Sequence, residues 1–300
     1  MAAIRYTFEA LCGRCAQKLL MHNITLTVIA VHSRSVYLRC QSGRLLMLCP
    51  DSYGTVPFGI ALCDFDALRA IREFLVGESV YVRDGVLCFS DMTEIEIRSV
   101  LCSKEETKPC ELPSMKAVEF CSEYAQGNAS RRGIFPCLPV LLCTGTPLAD
   151  ANTYALCVAS EADRIERAFA QGDTQTLSAS LRRLVGLGLG LTPSGDDFVC
   201  GMSYAFNHLA HLVPRCRNYP DMLRDAVTPH FERTSEVSCE YLRCAFDGEH
   251  FDVIDDVLYT LGLPFDRERI QDSTDKLLTV GASSGSDILC GMLFAIYLLN

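Results

Sequence analysis

The sequence is poor in positive charge. Its 300 residues include 27 Lys and Arg against 37 Asp and Glu, which gives a formal net charge of −10. No stretch is rich in Lys or Arg. Because a nucleic-acid surface needs clustered basic residues, this composition argues against DNA or RNA as a partner. A single small anion can still be held by a few arginines and backbone N–H groups.

Long apolar runs are also missing. The longest late run, residues 288–299, is far shorter than the roughly twenty residues that a membrane helix needs. The first ten residues contain Arg5 and Glu9 and lack the basic-then-apolar pattern of a secretory segment. These two features predict a cytoplasmic protein without a membrane partner.

Disulfide and zinc patterns are missing as well. The 17 cysteines are scattered, odd in number and mostly set in apolar stretches, which predicts buried thiols in a reducing compartment. Cys12 and Cys15 form a C-x-x-C, but no second Cys or His pair follows at the spacing of a zinc site. We therefore favour a helix face over a zinc site for these two cysteines.

What is present indicates a globular chain of about two domains. Nearly half of the residues (49%) are apolar and 21% are charged. After a helix predicted over Phe8–Met21, β-branched stretches predict a β-rich N-terminal domain over 1–102. The composition of 103–114 is typical of a linker, and 115–300 is predicted to be mainly helical. The predicted fold class is α+β.

A glycine-rich stretch, residues 186–197, carries the strongest motif: Gly-Leu-Gly-Leu-Gly-Leu-Thr-Pro-Ser-Gly-Asp-Asp. An apolar segment follows it and predicts a buried helix. Thr192 and Ser194 are suited to cap that helix, and Pro193 is suited to its first position. Because the first N–H groups of a helix lack intrahelical partners, such a start favours an anion.

The motif recurs 90 residues later. Residues 194–202 and 284–292 are identical at six of nine positions, and the shared residues are Ser, Gly, Asp, Cys, Gly and Met. We interpret the repeat as two related helix starts that face one site. The alternative is two capped, closely packed helices with no ligand.

Hydroxyl groups cluster between the two repeats. The stretch 233–238 reads Arg-Thr-Ser-Glu-Val-Ser, and its hydroxyls fall within about one helical turn. It forms a candidate second wall for a polar ligand. The alternative is that these hydroxyls bond to carbonyls of their own helix.

These three motifs resemble the AllH-type family, which includes a subunit of oxamate carbamoyltransferase from bacterial allantoin catabolism. The resemblance rests on Gly-x-Gly-x-Leu-Thr-Pro-Ser-Gly-Asp-Asp, on Arg-Thr-Ser-x-x-Ser and on the later Ser-Gly-x-Asp-x-x-x-Gly. The chain departs from the family pattern at Leu189 and Ser286, and neither departure removes a hydroxyl or an acid.

The resemblance implies transfer of a carbamoyl group between oxamate and phosphate, which makes or uses carbamoyl phosphate. Such a reaction mainly needs positioning and charge stabilisation. The acids to which we assign catalysis are Asp196, Asp197 and Asp287. The ligand-binding residues that we predict are Gly188, Gly190, Thr192, Ser194, Gly195, Arg233, Thr234, Ser235, Ser238, Ser284 and Gly285.

Several alternatives remain open at this point. Asp197 and Asp287 either orient an amide NH₂ or bind Mg²⁺ through water, and no other cofactor is predicted. The chain either carries the transferase site, alone or with other subunits, or is a binding and assembly subunit whose partner performs the chemistry. A nucleotide-dependent enzyme is disfavoured, because the glycine loop lacks the Gly-Lys-Ser/Thr ending that reaches the β- and γ-phosphates.

Overall fold

The structure, a computed structural model, describes residues 3–100, 111–249 and 251–300. These residues divide into two compact units. The first unit contains residues 3–100 with 249 and 251–252, and the second contains residues 111–248 and 253–300.

The first unit is a closed barrel of eight strands with two short helices. Its elements in chain order are β1 (Ile4–Cys12), α1 (Arg14–Leu20), β2 (Ile24–His32), β3 (Ser35–Cys40), β4 (Leu45–Pro50), β5 (Gly59–Leu62), α2 (Phe65–Ile71), β6 (Ser79–Arg83), β7 (Val86–Phe89) and β8 (Thr93–Val100). The α+β prediction is confirmed, since this barrel precedes a helical C-terminal region. Of the predicted linker 103–114, residues 103–110 lie outside the described residues.

The strand order around the barrel is β1-β5-β4-β3-β2-β6-β7-β8, and β8 closes it by pairing with β1. The pairs β1/β8 and β4/β5 are parallel, whereas the other neighbours are antiparallel. Side chains point alternately into and out of the barrel, and the inward ones fill its interior. In β2, for example, Leu26 and Val28 are buried while Thr25 is exposed. Closure leaves the sheet without free edges.

The predicted helix over Phe8–Met21 is wrong in its first half. Phe8 lies in β1, and only Arg14–Leu20 is helical. The apolar residues of this stretch fit a helical stripe, but Phe8, Ala10 and Cys12 also fit the alternation of a strand that faces the barrel core. The backbone between the two elements passes so close to Val56 and Pro57 that only Gly13 fits there.

The cysteines are free thiols throughout the described ranges. Cys12 ends β1 and Cys15 lies in α1, so the two do not share the helix face that was predicted. Most of the thiols are buried, as expected for apolar surroundings.

The second unit is helical. Its helices are α3 (Met115–Ala125), α4 (Leu138–Leu141), α5 (Thr153–Gln171), α6 (Thr174–Leu181), α7 (Ser194–Leu209), α8 (Tyr219–Val227), α9 (Glu236–Phe246), α10 (Asp252–Leu261), α11 (Arg267–Leu278) and α12 (Ser284–Leu299). In the part of the chain that the structure describes, none of the helices combines the length and the apolar character needed to cross a bilayer.

The core of this unit is built on α7 and α12, the two helices that begin at the sequence repeat. A Cβ on Gly201 would stand 2.0 Å from the carbonyl oxygen of Ile288, and a Cβ on Gly291 would stand 1.9 Å from that of Phe198. The two contacts join equivalent positions of the repeat in reciprocal fashion. Further along, the rings of Phe198 and Phe294 stack with centroids 6.0 Å apart. Glycine therefore lets the two helix backbones touch directly.

Replacement of Gly201 by Ala should lower the free energy of unfolding by at least about 2 kcal/mol, because a rigid backbone carbonyl blocks the added methyl. Urea denaturation measures the effect. Gly127→Ala is the control, since its Cβ would lie at an ordinary 3.7 Å from the carbonyl oxygen of Tyr124. Equal stability of the two variants would contradict the close helix contact.

Candidate active site

The glycine loop leads directly into the first turn of α7. Gly186 and Gly188 have φ values of 76° and 127°, and a Cβ on them would strike the carbonyl of Arg233 and the N–H of Ser194. The helix begins at Ser194, with Pro193 in the capping position and no side chain that caps it. The predicted caps at Thr192 and Ser194 and the predicted helical Pro193 are therefore wrong, because the loop backbone itself closes this helix end.

Several first-turn N–H groups are already bonded within the chain. Gly195 donates to the carbonyl of Leu187 (2.8 Å), and the equivalent Gly285 donates to that of Val280 (2.9 Å). The N–H groups of Asp196 and Asp197 both donate to the carbonyl of Pro193. The anion cradle predicted from backbone N–H groups thus loses Gly195 and Gly285 as donors. Gly190, with φ of 96° and open space around it, lies at the exposed tip of the loop.

Asp196 fastens the second motif to the first. Its Oδ1 accepts from the N–H of Gly186 (3.0 Å), and its Oδ2 accepts from Ser238 Oγ (2.7 Å) and from Thr234 Oγ1. Burial raises the pKa of this carboxyl, and the three donors oppose the rise. Both oxygens of Asp196 are bonded to donors of the chain itself, so this carboxyl holds the two motifs together and offers no free oxygen to a ligand.

The stretch 233–238 is held by the same contacts. The hydroxyl of Ser235 caps α9 by accepting from the N–H of Ser238 (3.0 Å), and it also donates to the carbonyl of Leu191. These hydroxyls donate to the glycine loop and to Asp196. They therefore neither form a free wall for a polar ligand nor donate to carbonyls of their own helix, the two arrangements that were predicted. The side chain of Arg233 is exposed, and it has no hydrogen bond or ion pair among the described residues.

Asp197 and Asp287 form the centre of the candidate site. They occupy equivalent positions of the repeat and are 5% and 0% exposed. Burial raises the pKa of Asp197 well above its ordinary value, while hydrogen bonding from Ser284 lowers it and the negative charge of Asp287 raises it further. Burial likewise raises the pKa of Asp287 to about 6, opposed by hydrogen bonds that include one from Ser194. Each acid therefore accepts a hydrogen bond from the hydroxyl of the first residue of the other helix.

The two first turns are thus in contact, as the repeat predicts. Thr192 Oγ1 and Ser284 Oγ lie 3.3 Å apart and connect the glycine loop to the second helix start. Among the described residues, Asp197 Oδ2 and Asp287 Oδ2 are buried without a hydrogen-bond partner. A buried acceptor left unpaired costs about 1–3 kcal/mol, so these two oxygens mark a place where a donor from a ligand would be stabilising.

A segment that the sequence analysis did not select completes this site. The N–H of Ile134 donates to Asp287 Oδ1 (2.6 Å), and the N–H of Ser130 donates to Ser286 Oγ (2.9 Å). Gly133 is required between them, because a Cβ there would lie 2.1 Å from Asp287 Oδ1. The only signal in the sequence is an Arg-Arg-Gly at 131–133 before an apolar run, which carries no recognisable motif.

Few side chains that commonly bind metal ions lie together at this site. Within the described ranges, no group of three or more His, Cys, Asp or Glu side chains is placed to hold a metal ion. A Mg²⁺ ion at Asp197 and Asp287 would therefore take its other ligands from hydroxyls and water.

Asp196→Ala should lower the free energy of unfolding by at least about 2 kcal/mol, because three donors lose their acceptor in a buried place. Chemical denaturation of the purified chain measures this change. Asp225→Ala, at an exposed acid, should stay within about 0.5 kcal/mol of the unmodified chain. A loss no larger than that of the control would show that Asp196 does not fasten the two motifs.

The stability should depend on pH through Asp287. Its pKa of about 6 lies above the ordinary 3.8, so the folded chain binds this proton more tightly than the unfolded chain. Stability should therefore fall as the pH rises from about 4 to about 6, by about 3 kcal/mol for this group. Denaturation at a series of pH values should show a shallower fall for Asp287→Asn, whereas Asp225→Asn keeps the original slope. Identical slopes in both variants would contradict the raised pKa.

Comparison with known proteins agrees with the motifs. The family model described as oxamate carbamoyltransferase subunit AllH matches residues 184–296, which include the glycine loop, the Arg-Thr-Ser stretch and both helix starts. No solved structure matches the chain. Over residues 184–296, the C-terminal region of this chain is therefore similar to the AllH family.

Proposed function

We propose that this chain is a subunit of a carbamoyltransferase that exchanges a carbamoyl group between oxamate and phosphate, and that Asp197 and Asp287 hold the transferred group. The description of the matched family supports the reaction. The observation that carries the site is the pair of buried carboxyl groups, each with an oxygen that lacks a partner among the described residues. A carbamoyl group has N–H donors beside a carbonyl acceptor, which suits a pair of carboxyl groups that accepts and, when protonated, also donates.

Proton sharing would resolve the conflict between these acids and an anionic ligand. Two neighbouring buried carboxyl groups resist joint ionisation, and the pKa values of both Asp197 and Asp287 are raised by burial. A proton kept by the pair would give it one acceptor for an amide N–H and one O–H donor for an oxyanion. A neutral carboxyl donates to an anion rather than repelling it.

The same proton would serve the transfer step. In the direction that releases oxamate, a phosphate oxygen forms a bond to the carbamoyl carbon, and the bond from that carbon to the oxamate nitrogen breaks. The nitrogen takes the proton of the shared pair, and the proton that hydrogen phosphate loses as its oxygen bonds to carbon returns to the pair. The products are oxamate and carbamoyl phosphate, and the pair is regenerated. General acid assistance of this kind typically contributes about 10²–10⁴-fold to a rate.

The second candidate function is a binding and assembly subunit without chemistry of its own. Leu189 at the tip of the glycine loop is 82% exposed, and Leu191 is 41% exposed. Two exposed leucines beside the site are suited to contact with another subunit, whose residues would then complete the reaction. The family description names a subunit and so agrees with this arrangement.

Ligand-dependent stability tests the site. Oxamate, phosphate or carbamoyl phosphate should raise the melting temperature of the purified chain, since a ligand at 100 times its Kd stabilises by about 2.7 kcal/mol. Asp197→Asn and Asp287→Asn should abolish the shift, and Asp225→Asn should retain it. A shift that survives EDTA favours the amide role of the acids, whereas one that requires added Mg²⁺ favours the metal role.

The alternative gives a different result. If none of the three ligands shifts the melting temperature while activity appears only with partner subunits, the chain is an assembly subunit. If both Asn variants leave binding and metal dependence unchanged, the two acids only stabilise the helix starts.

A further inference from the structure

The two halves of the repeat are each fastened by a separate segment of the chain. Asp196 and Ser286 are equivalent positions. Asp196 accepts from the stretch 233–238 through Thr234 and Ser238, and Ser286 accepts from the N–H of Ser130. The pairing of Asp287 Oδ1 with the N–H of Ile134 strengthens the second attachment. Each helix start thus has its own neighbouring segment, one known from the motifs and one found only in the structure.

The second segment is held rigidly on both sides of Arg132. Asn152 donates to the carbonyl of Arg131 (3.0 Å) and to that of Gly133 (2.7 Å). Arg131 pairs with Asp150 at 3.0 Å and donates to the carbonyl of Gln126. Every backbone neighbour of Arg132 therefore has a structural partner, and this fixes the backbone from which its side chain extends.

The side chain of Arg132 differs from those of its neighbours. It is exposed, and no ion pair or hydrogen bond of its guanidinium is found in the described ranges. Arg233 shares this property and lies next to Thr234 in the segment that fastens the first helix start. By contrast, Arg183 before the glycine loop is paired with the buried Glu161 at 2.5 Å. Each fastening segment thus has one arginine whose charge is not matched by an acid.

We propose that Arg132 binds the oxyanionic end of the ligand, a carboxylate or a phosphate, beside Asp287. The inference rests on the proposed function, because it requires a ligand whose amide end occupies the unpartnered oxygens of Asp197 and Asp287. Those two buried oxygens are the independent sign of a ligand at this place. Gly133 lies against the carboxyl of Asp287, and Arg132 is the residue directly before Gly133 in the chain. A planar guanidinium binds carboxylate and phosphate in the same bidentate manner.

A matched pair of probes separates the two ends of the ligand. Oxamate has one amide and one carboxylate, and oxamide replaces the carboxylate with a second, neutral amide. Calorimetric titration of the full chain with oxamate, oxamide and inorganic phosphate should show tighter binding of oxamate than of oxamide. Arg132→Ala should weaken oxamate and phosphate by about tenfold, the usual effect of a lost charged hydrogen bond, and leave oxamide unchanged.

Two further variants control for charge and folding. Arg217→Ala removes another exposed arginine, which follows the far end of α7 and should leave all three affinities unchanged. Arg132→Lys keeps the charge without the bidentate fork and should recover only part of the affinity. Urea denaturation of each variant checks that the fold is retained, which we expect for an exposed side chain.

The outcomes are distinguishable. If the unmodified chain binds oxamate and oxamide and Arg132→Ala binds oxamate as tightly as before, the role of Arg132 is overturned while the amide site stands. If the unmodified chain binds none of the three probes, the proposed function fails and the role of Arg132 fails with it. Selective loss of oxamate and phosphate in Arg132→Ala, with oxamide retained, supports both.

Discussion

The direct contact between the backbones of α7 and α12 is the constraint on which the second unit depends. Gly201 and Gly291 each face a carbonyl of the other helix, at distances that admit no side chain. This approach brings the first turns together, and each then supplies a hydroxyl to the acid of the other. The site is therefore a product of helix packing, and the residues that permit it lie one to two turns away from the acids.

The burial of three acids at this place is costly, and the structure reduces the cost in unequal ways. Asp196 is satisfied by three donors, whereas Asp197 and Asp287 keep one oxygen each without a partner among the described residues. Unpaired buried polar atoms are uncommon in native proteins and tend to mark functional places. Asp196 and Asp197 are adjacent in sequence, yet the first has both oxygens bonded and the second keeps one oxygen free among the described residues.

The sequence predicts the paired helix starts well, because the repeat itself encodes them. The same residue types recur in register. The glycines at 201 and 291 allow the two helix backbones to approach closely. The cap residues are harder to predict, because Pro193 takes the position that Thr192 or Ser194 would otherwise fill. The β1 strand is mistaken for a helix where its apolar residues satisfy both periods at once. The segment at 130–134 is missed because it meets Asp287 across 153 residues of chain, and no local pattern reports such a contact.

The exchange of hydroxyls between the two helices has a consequence for motion. Any opening that separates the first turns would remove a hydroxyl donor from both carboxyl groups at once, since each accepts from the first residue of the other helix. Partial opening is therefore disfavoured, and the two helix starts should fluctuate as a single cooperative element. Amide protons in both turns would then exchange with solvent at a common rate, even though nearly a third of the chain separates them.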